Sequence, residues 1–473
     1  MSERYELLVV GAGPGGYVSA IRAKQLGINV AIVERRSTLG GVCLNEGCIP
    51  SKALLDSSEH FATARDKFAI HGIEIDSPRI NLQVMLSRKN EVVRRLTDGV
   101  AYLLKKHKIP VIKGEARLLG MGSDGDHRTE IVSEAAVDAV DAVVSKRVLL
   151  ATGSEPVSLP CIPFDGEFVV GAREALDFDK VPEHLVVAGA GFIGLELGSV
   201  WRRLGARVTV LEMLPAILPT MDRQAADLLQ RTLKKQGMEF RLGARITGLE
   251  KNGGKGRVTY QVGEDNFAVE CDRLLVSIGR RPLISGTGFT ELGGVVSESG
   301  RISVDENYQT SIAGIYAIGD LVPGPMLAHK ASEEGIVCVE RMTGKTVAVD
   351  YTCLPGVVYT WPEGASTGKT EEQLKSENIP YKSGKSNFIG NGRARAMEET
   401  DGFVKILADA QTDRILGVHI VGPRASDLIG EAVTAMCLKA TARDIGMQFH
   451  AHPTLGEAMK EAALDVNNEA IHG

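Results

Sequence analysis

The apolar positions of the chain break twice in the same way. Residues 5–10 form a short apolar run that stops at GAGPGG, a helical pattern follows to residue 26, and a second apolar run at 29–33 ends on Glu34. This order predicts a βαβ unit with Gly11, Gly13 and Gly16 in its first turn. Glycine there lets the chain turn sharply and lets backbone N–H groups approach a pyrophosphate at the positive end of the helix; Glu34 can then hold a ribose hydroxyl. The device returns as a run at 184–188, the turn GAGFIG and a run at 207–211, with Gly189, Gly191, Gly194 and Glu212 in the corresponding places. First glycine to acid is 23 residues in both copies, so the second is offset by 178 throughout. Two dinucleotide sites are predicted. An acid at Glu212 suits a free 2′-hydroxyl and repels a 2′-phosphate, which selects NAD over NADP for the second site.

Elsewhere the pattern is coarser. Polar, glycine-bearing stretches at 120–127 and 251–255 read as hairpin or loop tips. From residue 350 onward the pattern becomes two strands, 403–407 and 415–421, around a polar turn, then a helix over 425–439. No run of about 18 apolar residues, heptad series or basic amphipathic helix occurs, so a membrane role has no support. The chain enters a strand pattern at once, with no room for a leader, and a cytoplasmic location is expected.

Composition narrows the classes further. At about 150 residues per domain, 473 residues correspond to about three domains. With 54 Lys+Arg against 60 Asp+Glu, the charge of −6 is too acidic for phosphate-backbone attraction, which argues against a nucleic-acid partner. The 53 glycines carry no Gly-X-Y period, so they serve tight turns. Seven cysteines, an odd and mostly scattered set, do not form a secreted disulfide framework, and no metal site is expected.

Only Cys43 and Cys48 form a local pair. They lie five positions apart in GGVCLNEGCIPSK, just ahead of a helical pattern that runs from Ala53, a spacing that can close a small ring. Pro50 suits a first helical turn, so Cys48 is expected near a helix N-terminus, where the dipole and Lys52 favour thiolate over thiol. In a reducing compartment such a pair is expected to cycle rather than to staple.

These motifs, with TSIAGIYAIGD at 310–320, resemble the flavoprotein disulfide reductases that carry two dinucleotides, over nearly the whole chain. HAHPTLGE at 450–457 and PMLAHKASEEG at 325–335 are most similar to the dihydrolipoamide dehydrogenase branch of that family. The resemblance implies an α/β fold of two Rossmann-like domains for FAD and NAD and a C-terminal α+β dimerisation domain. The segments would be 1–148 and 277–348 for FAD, 149–276 for NAD and 349–473 for the interface. FAD would meet Gly11, Gly13, Gly16 and Glu34 at its adenosine end, with further contacts from Gly114, Thr152, Gly153 and Ser154. Asp320 would lie on the ribitol side, and Met326, Leu327, Ala328 and His329 against the flavin. NAD would use Gly189, Gly191, Gly194, Glu212 and Gly279, while Lys52 and Glu196 match a family ion pair beside the flavin. Cys43 would exchange with substrate and Cys48 would face the flavin. His452 would be the base, with Glu457 on its other ring nitrogen and His450 its local competitor. The implied partners are a second copy of the chain, whose His452 and Glu457 complete the thiol site, and the lipoyl domain of a 2-oxoacid dehydrogenase complex or the H protein of glycine cleavage.

The sequence departs from the commonest family pattern at Val42, where Thr is frequent, at Trp361, where His is usual, and at Gly456, where Ser is common. None of these removes a reacting atom. A glutathione-type reductase would be expected to carry basic residues in place of Glu212, and reductases with a second thiol pair at the C-terminus differ from the tail NNEAIHG. A flavoprotein that serves only as an assembly module remains the rival from another class, and it predicts no turnover.

Overall fold

Leu7, Leu8 and Val9 are all fully buried, although consecutive residues of a strand point to opposite faces. Only a strand covered on both sides buries such a run, and Arg4–Val10 is the interior strand of a parallel set. The computed structural model describes residues 4–132 and 140–472, which divide into two compact units.

The first unit comprises Met1–Ala53, Gln83–Val157 and Gly279–Val349. Its main sheet runs Val111–Lys113, Val30–Glu34, Arg4–Val10, Val140–Leu150, His127–Val132, Glu115–Met121, the first four parallel and the last two antiparallel. Ile315–Ala317 joins Val140–Leu150 in parallel. The helix Pro14–Gln25 has proline in its first turn and buries only small residues, Gly15, Gly16, Ser19, Ala20 and Ala23, which lets its backbone lie close to its neighbours. The expected tip at 120–127 is the turn between the two antiparallel strands.

The second unit comprises Leu54–Leu82, Ser158–Ile278 and Asp350–Gly473. It opens on a parallel sheet, Met238–Leu242, Arg207–Glu212, His184–Ala188, Arg273–Val276, Val169–Val170. A three-stranded antiparallel sheet, Ala244–Asn252, Lys255–Val262 and Asp265–Cys271, turns at the second expected tip. The C-terminal part is an antiparallel sheet in the order Gly356–Val358, Glu363–Gly368, Ile415–Gly422, Phe403–Asp409, Tyr381–Asn387. Val404, Ile406, Val418 and Ile420 of that sheet share a core with Ile429 of the helix Ala425–Cys437 and Met459 of the helix Glu457–Asp465. The former helix stops two residues short of the sequence expectation. No helix among the described residues is long and apolar enough to cross a membrane.

Candidate active site

The two glycine turns are built alike. Gly11 and Gly189 have φ of +100° and +99°, a left-handed conformation that costs glycine nothing. A Cβ on Gly16 would overlap the Gly11 carbonyl oxygen, and one on Gly194 the Gly189 carbonyl oxygen, so each helix can begin this close to its turn only with glycine. Gly13 and Gly191 are the N-caps of Pro14–Gln25 and Phe192–Arg203; no side chain caps either helix, and the space above Gly191 is open. Uncapped first-turn N–H groups beside a side-chain-free turn fit the pyrophosphate of a dinucleotide.

The acids are fixed more firmly than spacing alone indicates. Glu34 accepts the Ala12 N–H on Oε2 at 2.8 Å and the Arg36 N–H on Oε1 at 2.9 Å. Glu212 accepts the Ala190 N–H at 2.6 Å and the Leu214 N–H at 2.7 Å in the same manner. Each carboxylate thus braces its glycine turn, and with about four acceptor sites it retains lone pairs for ribose hydroxyls.

The thiols sit against the first turn. Cys43 lies in a short helix, Gly41–Glu46, and Cys48 is the first residue of Cys48–Asp66, with Pro50 in its first turn as the sequence led one to expect, ahead of the helical pattern from Ala53. The Gly40 N–H donates to the Ala12 carbonyl at 2.9 Å, and a Cβ on Gly41 would lie 2.7 Å from Gly13 Cα. Arg36 grips Glu46 with both guanidinium nitrogens, at 2.6 and 3.0 Å, which ties the short helix to the end of the acid's strand. Cys43 is half-buried and Cys48 exposed. The hydrogen bond with Cys48, burial and the Cys48 charge push the Cys43 thiol far above its ordinary range, against the pull of the Lys52 ammonium. Cys43 therefore keeps its proton well past the ordinary thiol range.

Other expected contacts of the first unit are linked by hydrogen bonds. Ser154 Oγ donates to Asp320 Oδ2 at 2.5 Å and accepts from Arg280 Nε at 2.8 Å, while Thr152 Oγ1 donates to the Leu283 carbonyl at 2.5 Å. Gly114 donates its N–H to the Glu34 carbonyl at 3.0 Å; Gly153 and Gly279 have positive φ and no neighbour within 4 Å of a would-be Cβ. Met326 and Leu327 lead into the helix Ala328–Met342, which Ala328 and His329 open. Lys330 and Glu334, fully buried, pair at 2.8 Å and clasp Gly319 by its carbonyl and N–H, fixing that helix to the turn that carries Asp320. Sequence reading missed this clasp.

In the second unit Glu196 is buried and accepts the Tyr359 N–H at 3.1 Å. His452 Nδ1 lies 2.9 Å from Glu457 Oε1, and its side chain is 79% exposed, which leaves Nε2 open to a reactant. His450 is different: only 9% of its side chain is exposed, Nε2 meets Glu431 Oε1 at 2.9 Å and Nδ1 faces the Gln448 carbonyl. Burial raises the Glu457 carboxyl, but the Thr454 N–H and the His452 ring outweigh it and hold it below the usual range. An ionised Glu457 can hold one tautomer of His452 and stabilise the imidazolium. Trp361 has partners of its own: Nε1 donates to Glu399 at 3.0 Å, and its carbonyl accepts from Gln236 at 2.6 Å. A Cβ on Gly456 would meet only ordinary contacts at 3.5 and 3.7 Å, so serine and glycine are sterically equivalent there.

Comparison with known proteins agrees with this arrangement. Residues 5–335 match the pyridine nucleotide-disulphide oxidoreductase family, and residues 354–463 match that family's dimerisation domain. The chain belongs to this family. Its relatives include a dihydrolipoyl dehydrogenase of Cupriavidus necator, 47% identical over all of both chains, and the mitochondrial dihydrolipoyl dehydrogenase 2 of Arabidopsis thaliana, 46% identical over all of this chain and 92% of that one. LpdA from Mycobacterium tuberculosis, 26% identical, superposes with a TM-score of 0.89 over 97% of this chain and 98% of its own. FAD and NAD are the cofactors that go with the family, and the two turns fit them.

Proposed function

We propose that the protein oxidises protein-bound dihydrolipoamide to lipoamide and reduces NAD⁺ to NADH. What supports this reading above all is the Cys43–Cys48 pair, in mutual contact and tethered through Gly40 to the first dinucleotide turn. FAD, when bound, supplies the two-electron link between that pair and NAD.

The chain's own groups do the rest. With the pair oxidised, one substrate sulfur attacks Cys43, the Cys43–Cys48 bond breaks and Cys48 is released as thiolate at the start of its helix. There the dipole favours the charge. The second substrate sulfur displaces Cys43, and lipoamide leaves as the cyclic disulfide. His452 Nε2 takes the proton that makes the first substrate sulfur nucleophilic, while Glu457 holds Nδ1. The residues holding FAD and NAD are those assigned from the sequence; the segments are 1–148 and 277–348 for FAD and 149–276 for NAD, with Thr152, Gly153 and Ser154 of the NAD segment serving FAD and Gly279 of the second FAD segment serving NAD. A homodimer follows from the dimerisation domain, and His452 and Glu457 of one protomer serve the thiols of its partner. The substrate arm is the lipoyl domain of a 2-oxoacid dehydrogenase complex or of glycine cleavage, and the setting is the cytoplasm.

The test is NAD⁺ reduction by free dihydrolipoamide, run beside NADP⁺ and glutathione disulfide controls. Turnover with NAD⁺ and dihydrolipoamide alone is expected; turnover of glutathione disulfide with NADPH, or none at all, overturns the reading. His452→Gln should lower dihydrolipoamide oxidation by about 10²- to 10⁴-fold and spare electron transfer from NADH to a dye, which bypasses thiol exchange. Equal losses would move the base elsewhere.

A further inference from the structure

Two cysteines outside this site meet in the C-terminal part of the second unit. Cys353 ends the short turn Tyr351–Cys353, is 4% exposed and donates from its thiol to the Asp350 carbonyl at 3.5 Å. Cys437, exposed, is the last residue of the helix Ala425–Cys437, which packs against that turn. The Cys437 side chain lies within interaction range of the Cys353 thiol, and burial together with that neighbour pushes Cys353 up to about 12. Cys271 and Cys338, also buried, are raised by burial and by neighbouring carboxylates instead. Cys43 and Cys48 also set a less accessible thiol, there half-buried, beside an exposed one.

We propose that Cys353 and Cys437 form a second, reversible dithiol/disulfide couple, oxidised by low-molecular-weight disulfides and separate from the Cys43–Cys48 pair. The Cys437 thiolate attacks one sulfur of the small disulfide, whose S–S bond breaks; one small thiolate leaves and takes up the proton that Cys437 gave to water. Cys353 then attacks the Cys437 sulfur of the mixed disulfide and loses its own proton, and the second small thiol departs. Two protein thiols become one disulfide, and one small disulfide becomes two thiols. The exposed sulfur is the one an external disulfide can reach, and the buried one is placed to resolve the adduct.

The helix dipole separates the two couples. Cys48 opens a helix, whose positive end suits an attacking or leaving thiolate; Cys437 closes one and lacks that end. The second couple is therefore slow, suited to following a sustained change in redox poise and not to turnover. Its bond would fasten the start of the C-terminal domain to the helix whose Glu431 holds His450.

The experiment uses the reduced holoenzyme incubated with glutathione disulfide, blocked with an alkylating agent, and digested without reduction for mass spectrometry. A Cys353–Cys437 cross-linked peptide is expected. It should form at least tenfold more slowly than the Cys43–Cys48 bond, disappear with dithiothreitol, and raise the melting temperature by several degrees. Cys437→Ser should lose the cross-link and the shift while keeping dihydrolipoamide oxidation; Cys353→Ser should trap glutathione on Cys437. A stable glutathione adduct on Cys437 of the unsubstituted protein, or both sulfurs still open to alkylation, overturns the proposal.

Discussion

The two dinucleotide turns match further along the chain than their glycines and acids. Gly40, φ +92°, donates its N–H to the Ala12 carbonyl at 2.9 Å; Leu218, 178 positions later and also left-handed at φ +47°, donates to the Ala190 carbonyl at 3.1 Å. Past this point the copies part. Three residues on, the first copy places Cys43 and the second Met221, and Asp222 stands where the first copy has Leu44. Asp222 caps the helix Arg223–Lys235 through Oδ1, and its Oδ2 accepts the ammonium of the buried Lys405 at 2.8 Å. One βαβ unit thus continues into redox chemistry and the other into an anchor, so the nucleotide fold does not by itself decide the chemistry of the segment beyond it.

The comparison is broken most severely at the third glycine. Gly16→Ala should strip the purified protein of flavin and abolish every activity, because its Cβ has no room beside the Gly11 carbonyl. Gly194→Ala, the same lesion in the second copy, should retain full flavin absorbance and lose NAD-dependent turnover by tenfold or more. Flavin content and NADH-to-dye transfer measure both. If Gly194→Ala also came out colourless, the assignment of one nucleotide to each copy would fail.

The anchor comes next in size. Lys405 is 1% exposed and meets Asp222 at 2.8 Å and Glu371 at 2.5 Å. Burial raises the Asp222 carboxyl, yet His419 and Lys405 hold it below its usual range. Glu371, also raised by burial, is brought down to about 2 by Lys375, Lys405 and Tyr381. Both carboxylates thus stabilise the folded state above the ordinary carboxylate range, and that contribution is lost as pH falls toward 2. His419, fully buried, is depressed by burial, so its contribution is present above the ordinary histidine range and fades as pH drops below it. Lys405→Met leaves the buried Asp222 without its cation and Glu371 with Lys375 alone, and should cost about 3–5 kcal/mol at pH 7. The loss should shrink at pH 4, where the carboxylates can take up protons. Urea unfolding at the two pH values checks this; a loss independent of pH would mean that packing, and not charge, is what Lys405 provides.

The turns were legible in the sequence because their physics is local: glycine where a Cβ would strike its own turn, and an acid at the end of the next strand. The thiol pair was legible for the same reason, and Pro50 marked the helix start beside Cys48, whereas the short helix Gly41–Glu46 ahead of it left no mark in the apolar pattern. The Lys330–Glu334 clasp and the Lys405 anchor escaped because they join polar residues distant in sequence or covered only by the folded chain, and periodicity reads such residues as surface. The strand Tyr381–Asn387 escaped because its sequence, YKSGKSN, is polar; it lies at the edge of its sheet, with Phe403–Asp409 as its only partner among the described residues. His452 and His450 were both legible as candidates, and the structure separates them by exposure.

The finest discrimination lies in the acids themselves. Glu34→Gln and Glu212→Gln inflict one injury in common: a carboxamide has a single acceptor oxygen, so one of the two backbone N–H groups each acid now holds faces an NH₂. Whatever that does to the turn should be nearly equal in the two copies. What differs is the ligand. Loss of a charge-assisted bond to a ribose hydroxyl, worth about 1.5–3 kcal/mol, should raise KM for NAD about tenfold in Glu212→Gln and bring NADP⁺ turnover up as repulsion of the 2′-phosphate ends. Glu34→Gln should loosen flavin modestly and leave the NAD to NADP ratio untouched. If Glu212→Gln also left that ratio unchanged, the acid would be a brace for Ala190 and Leu214 alone, and selection between the two nucleotides would have to come from elsewhere in the second unit.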